Sequence, residues 1–188
     1  MDKSQLINGI KKYVEEVPFM LRRFAVRAII LWGIFTVANH FLFVPGFWLN
    51  TYLTFTTSNL TTISLNHFYH PGFVNTPLAY GFQNIYYNNE RVLYITDGCN
   101  ALTLYQAYLC FFLCVPGKVS RKLFFAFLGL SIIFVLNIIR CYALTWLNMN
   151  KPEWTDFAHH YAFTFIVYTC IFILCTTYLR ALMTKATE

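Results

Sequence analysis

The sequence predicts an all-α polytopic membrane protein, with about four transmembrane helices, an N-terminal amphipathic helix and an outer-face interfacial or re-entrant helix. Three observations predict it. Of 188 residues, 57% are hydrophobic and only 12% are charged, against about 25% charged in an ordinary soluble domain. Four apolar runs approach the ~20 residues that a spanning helix needs. The basic residues sit beside those runs, where they act as topology signals and form no patch for nucleic acid. A mean hydropathy of +0.49 agrees with this class. One integral membrane domain, 1–188, is expected.

Taken in order, 1–23 is an amphipathic stretch with Lys11, Lys12, Arg22 and Arg23, suited to the cytoplasmic surface. Its first twenty residues lack an apolar h-region, so no cleavable signal peptide is expected. The first span is Phe24–Val44. An external loop region, 45–98, follows. It holds Trp48–Phe68, a threonine-rich segment ("LNTYLTFTTSNLTTISLNHF") whose Leu49, Tyr52, Leu53, Leu60 and Ile63 recur near a helical period. Beyond it, Phe73–Gly98 is expected to be loop, with a short strand or two in "NIYYNNERVLYIT". Residues 99–182 carry three further spans, Cys99–Val115, Leu123–Leu147 and Phe157–Leu182.

The positive-inside rule orients these pieces. Lys3, Lys11, Lys12, Arg22 and Arg23 hold the N-terminus inside; Lys118, Arg121 and Lys122 hold the loop "VPGKVSRKL" inside; Arg180 and Lys185 hold the C-terminus there too. A crossing by Trp48–Phe68 would force "GKVSRK" outside, so that segment is expected at the outer face. The protein is thus expected in the cytoplasmic (inner) membrane.

This topology brings three chemical groups to one depth. Cys99 opens the second span, where a polar turn meets apolar chain. Arg140 lies eighteen residues past Lys122, roughly 27 Å up a hydrocarbon core ~30 Å thick. His159 and His160 open the last span. A thiol is a nucleophile as thiolate, which a nearby cation favours. An arginine stabilises a thiolate or oxyanion without titrating, and a histidine moves protons near neutral pH. Together they suit acyl transfer through a thioester. Singly, each has a structural reading: a cysteine at a helix start, an arginine that snorkels or pairs with Asp97 or Asp156, and a polar cap made by the histidines.

At these residues, over roughly Asn84–Tyr168, the sequence resembles the exosortase/archaeosortase family of membrane-embedded cysteine transpeptidases, in a compact form. "DGCNAL" resembles its cysteine motif, "LNIIRCYAL" its arginine motif and "FAHHYAFTFIVY" its histidine motif. Ala101 stands where the family commonly has glycine. The resemblance implies that 99–182 is a catalytic core, with catalytic Cys99, Arg140 and His160, His159 being the alternative histidine. Asn137 would orient Arg140, and Asp97 would tune the site or simply turn the chain. The implied partners are exported proteins with a C-terminal sorting tail, made of a motif, a transmembrane helix and a basic cluster. The implied acceptor is an envelope lipid or glycan, or water. No cofactor or metal is expected; a haem site from His40 with His67 or His70 has nothing to fix its geometry. The competing readings are a four-span thiol oxidoreductase, which needs paired external cysteines, and a non-enzymatic membrane assembly or transport component.

Overall fold

The computed structural model describes residues 19–41, 48–96 and 99–183; most of the expected 1–23 surface segment, and Asp97, lie outside them. In chain order the elements are α1 (Phe19–Phe41), α2 (Trp48–Phe68), β1 (Val74–Pro77), β2 (Gln83–Tyr87), β3 (Glu90–Ile95), α3 (Leu102–Cys114), α4 (Val119–Asn150) and α5 (Phe163–Met183). Short helical turns over Pro152–Trp154, Thr155–Phe157 and Ala158–Ala162 lead from α4 into α5.

Two helical stretches, Val119–Asn150 and Pro152–Leu182, are long and apolar enough to cross a membrane. Their most apolar windows are only 17% and 11% buried within the chain, unlike the core helix of a water-soluble domain. Exposed Phe124, Phe127, Phe165 and Phe172 leave these surfaces suited to lipid. The expected span Cys99–Val115 is helical only over Leu102–Cys114, 13 residues or roughly 20 Å, less than the hydrocarbon thickness. Its start is delayed because Asn100 turns the chain: its side-chain oxygen accepts the Leu102 N–H at 3.0 Å, and Ala101 is left-handed at φ 61°.

The Trp48–Phe68 segment is helical over that whole range, and it buries its polar side. Asn50, Thr54, Thr57, Ser58, Thr61 and Thr62 are buried, with Leu65. Hydroxyls can be carried inward because several bond their own helix: Thr61 donates to the Thr57 carbonyl at 2.7 Å and Thr62 to that of Ser58 at 2.9 Å. Ser58 instead donates to Asn75 on β1 at 2.7 Å, tying helix to sheet.

The sheet is an antiparallel meander in the order β1-β2-β3, so the expected strands in "NIYYNNERVLYIT" are a hairpin, and β1 adds a third. Asn88 and Asn89, at φ 50° and 65°, make the two-residue turn with both central residues left-handed that suits strand twist, a conformation asparagine tolerates. A bulge interrupts the β2–β3 register beside Ile85 and Tyr86. Leu65, Phe73, Ile85, Val92, Ile95 and Cys141 form one apolar core between sheet, α2 and α4. Tyr108, Phe112, Ile133 and Tyr178 form another among α3, α4 and α5.

Candidate active site

Cys99 sits on the short link from β3 to α3. Its N–H donates to the Thr96 carbonyl at 2.8 Å, closing a turn, and the Thr96 hydroxyl lies 3.9 Å from its sulfur. Its carbonyl accepts the Asn137 side-chain amide at 2.7 Å. The next residue, Asn100, is fully buried; its amide donates to Asn50 and, at 3.2 Å, to the Thr54 hydroxyl. Two asparagines therefore clamp the cysteine, one to α4 and one to the polar side of α2. Asn137 was expected to orient Arg140. The structure turns it to Cys99 instead, because the cysteine's carbonyl lies on that face of α4.

Arg140 is on α4 just under one turn beyond Asn137, half-buried. One guanidinium nitrogen stands 3.0 Å from His159 Nδ1. Arginine has no acceptor, so the guanidinium donates and the imidazole lone pair receives. A neutral His159 then carries its proton on Nε2.

The two histidines part company on the turn over Ala158–Ala162, which is a π-helix. The Phe163 N–H reaches back to the Ala158 carbonyl, five residues away, and such widened turns are frequent at functional sites. His159 faces the chain's interior. His160 faces away, exposed, with Nε2 3.3 Å from the Asp156 carboxylate. The structure thus brings Cys99, Arg140 and His159 together and leaves His160 aside. Asp156, once a possible partner for Arg140, pairs with His160 for the same reason.

The three residues line one cavity of about 300 Å³, whose wall also includes Tyr94, Thr96 and Thr155. Thr155 was not foreseen. Its hydroxyl oxygen is buried and has no hydrogen-bond partner among the described residues.

No protein-family model, curated protein or solved structure matches this chain. The chemistry of the cavity therefore rests on its own residues. It offers a half-buried thiol, a cation that cannot lose its proton, and an imidazole held by that cation, in a recess with mixed polar and apolar walls. A set of this kind can attack an acyl carbon, stabilise the oxyanion and move one proton.

Proposed function

We propose that this protein is a membrane cysteine peptidase or transpeptidase of the exosortase/archaeosortase type, with Cys99 as nucleophile, Arg140 as charge stabiliser and His159 as proton carrier. One observation carries this reading: Cys99, Arg140 and His159 line a single cavity. In the resting site Arg140 occupies the His159 lone pair at 3.0 Å. As Cys99 Sγ attacks the scissile carbonyl, the guanidinium turns to the developing oxyanion and frees Nδ1. That nitrogen takes the thiol proton and returns it to the departing amine. The C–N bond breaks and a thioester to Cys99 remains. An acceptor amine, or water, then releases the acyl group and restores the thiol.

The substrate is the C-terminal sorting tail of an exported protein, and the acceptor an envelope lipid or glycan, or water. The two apolar stretches that frame the site suit a membrane setting, and the fuller arrangement is the four-span one with the cavity facing outward and both termini cytoplasmic.

The test is Cys99 modification by a membrane-impermeant maleimide in right-side-out vesicles, in a chain whose other cysteines are serine. External labelling, slowed several-fold by Arg140→Ala and by His159→Ala but not by His160→Ala, is the expected result. A rate indifferent to both Arg140 and His159 would sink the reading.

A further inference from the structure

β3 is an edge strand: it pairs with β2 on one side only. Its other side faces α4, and two asparagines of that helix hold the chain from β3 to the link at Cys99. At one end the Asn148 amide donates to the Val92 carbonyl at 2.9 Å; at the other, Asn137 donates to the Cys99 carbonyl at 2.7 Å. These asparagines are eleven residues apart on α4, roughly 16 Å along its axis. Between them strand and helix separate, and the cavity fills the gap, with Leu93, Tyr94, Ile95 and Thr96 on one wall and Arg140 and Leu144 among those opposite.

Backbone groups in a strand alternate in direction. The Val92 carbonyl points away from β2, toward Asn148. Past the bulge, Tyr94 stands opposite Asn84 in the register and lines the slot, so its N–H and C=O are the pair through which an added strand would bond. Thr96 is already engaged, since its carbonyl accepts the Cys99 N–H. Tyr94 therefore lines the slot on the edge strand, a few residues from the nucleophile. The unpartnered Thr155 hydroxyl lines the same slot. A buried hydroxyl left unpaired beside an edge strand calls for a ligand that brings hydrogen-bonding groups into the recess.

We propose that the substrate binds as an extended peptide, added as a strand at the free edge of β3 and paired through the Tyr94 backbone, so that its scissile carbonyl lies over Cys99. This rests on the cysteine-peptidase reading above and names how its substrate is held. Strand addition takes its affinity from main-chain bonds and its selectivity from alternate side chains. The pairing thus reads peptide conformation, leaving sequence preference to the cavity wall.

The experiment uses the purified full chain in detergent and follows Cys99 alkylation by mass spectrometry. The probes are acetyl-Ala-Ala-Ala chloromethyl ketone, from which the sulfur displaces chloride to form a thioether, and analogues N-methylated at single amides. Iodoacetamide serves as the reference for intrinsic thiol reactivity. N-methylation at one position should slow alkylation about tenfold, equivalent to ~1.4 kcal/mol. Tyr94→Pro removes the strand's donor, whose partner would be a peptide carbonyl, while remaining compatible with an edge position, and should slow the parent probe several-fold relative to iodoacetamide. Equal rates for parent and every N-methylated analogue would overturn strand pairing while leaving the cysteine site intact. A parent probe whose rate relative to iodoacetamide is unchanged by Tyr94→Pro would also overturn it. A Cys99 inert even to iodoacetamide would overturn both readings together.

Discussion

Arg140 donates to His159 at 3.0 Å, so each of the two limits what the other can do. Lysine at 140 keeps the charge but loses the planar fork, and it cannot both engage the imidazole and reach an oxyanion. On the proposed peptidase reading, Arg140→Lys should therefore cut turnover of a sorting-tail peptide by about 10²-fold or more, as loss of an oxyanion donor does. Asn137 acts one step back. Its side chain is 3% exposed and it holds the Cys99 carbonyl, so Asn137→Leu leaves that acceptor unpaired. The expected cost is about 1–3 kcal/mol, seen as a thermal midpoint several degrees lower in detergent. The cysteine, arginine and histidine types were legible in the sequence because each is chemically conspicuous beside an apolar run. Which of His159 and His160 faces the cavity was not. Regular helix spacing sends adjacent residues about 100° apart, but a π turn alters where each points, and nothing in "AHHYA" announces it.

At the scale of elements, the link into α3 stores a small strain. Ala101 adopts φ 61° and ψ 15°, a left-handed conformation that costs a residue with a Cβ roughly 1–2 kcal/mol. Glycine is at ease there. Ala101→Gly should stabilise the protein by about 1 kcal/mol on thermal unfolding, since relief of strain outweighs the added freedom of the unfolded chain. The seam between α3 and α4 behaves oppositely. A Cβ on Gly129 would run into the Tyr108 ring, and that ring is fixed because its hydroxyl donates to the Phe125 carbonyl at 2.8 Å. Gly129→Ala should destabilise by about 1–3 kcal/mol through overpacking, measured the same way. These elements differed in how far sequence exposed them. Trp48–Phe68 was visible from its period; of the sheet, only a short strand or two in "NIYYNNERVLYIT" was expected, and neither the asparagine turn nor β1. The short α3 was not, because composition marks an apolar run from Cys99 but gives no sign that Asn100 will turn the chain before the helix begins.

For the whole molecule, the question is which ends of α4 lie on which side of a membrane. The Asn88 turn belongs to a sheet bound to the far end of α4 through Asn148, whereas Ser120 stands at its start. At 32 residues, or roughly 48 Å, α4 exceeds the hydrocarbon thickness. In a background with the native cysteines changed to serine, Asn88→Cys should react with an impermeant maleimide from outside. Ser120→Cys should react only after permeabilisation. Both reacting from one side would mean that α4 does not cross. This arrangement is what charge placement leads one to expect, since basic residues mark the Ser120 end. The tertiary frame was hidden for the opposite reason. The contacts that assemble the site come from uncharged asparagines and threonines, whose partners lie 38, 46 and 50 residues away in sequence.

The widened turn at Ala158–Ala162 also bears on descent. A π turn houses one residue more than an α turn over the same stretch of axis, so its flanks stay seated when that residue comes or goes. An ordinary helix can therefore gain an inward-facing histidine by insertion of a single codon, and lose it again by deletion, with little disturbance to the membrane-facing remainder. In lineage terms, the imidazole is the part of this site that one small mutational event can install.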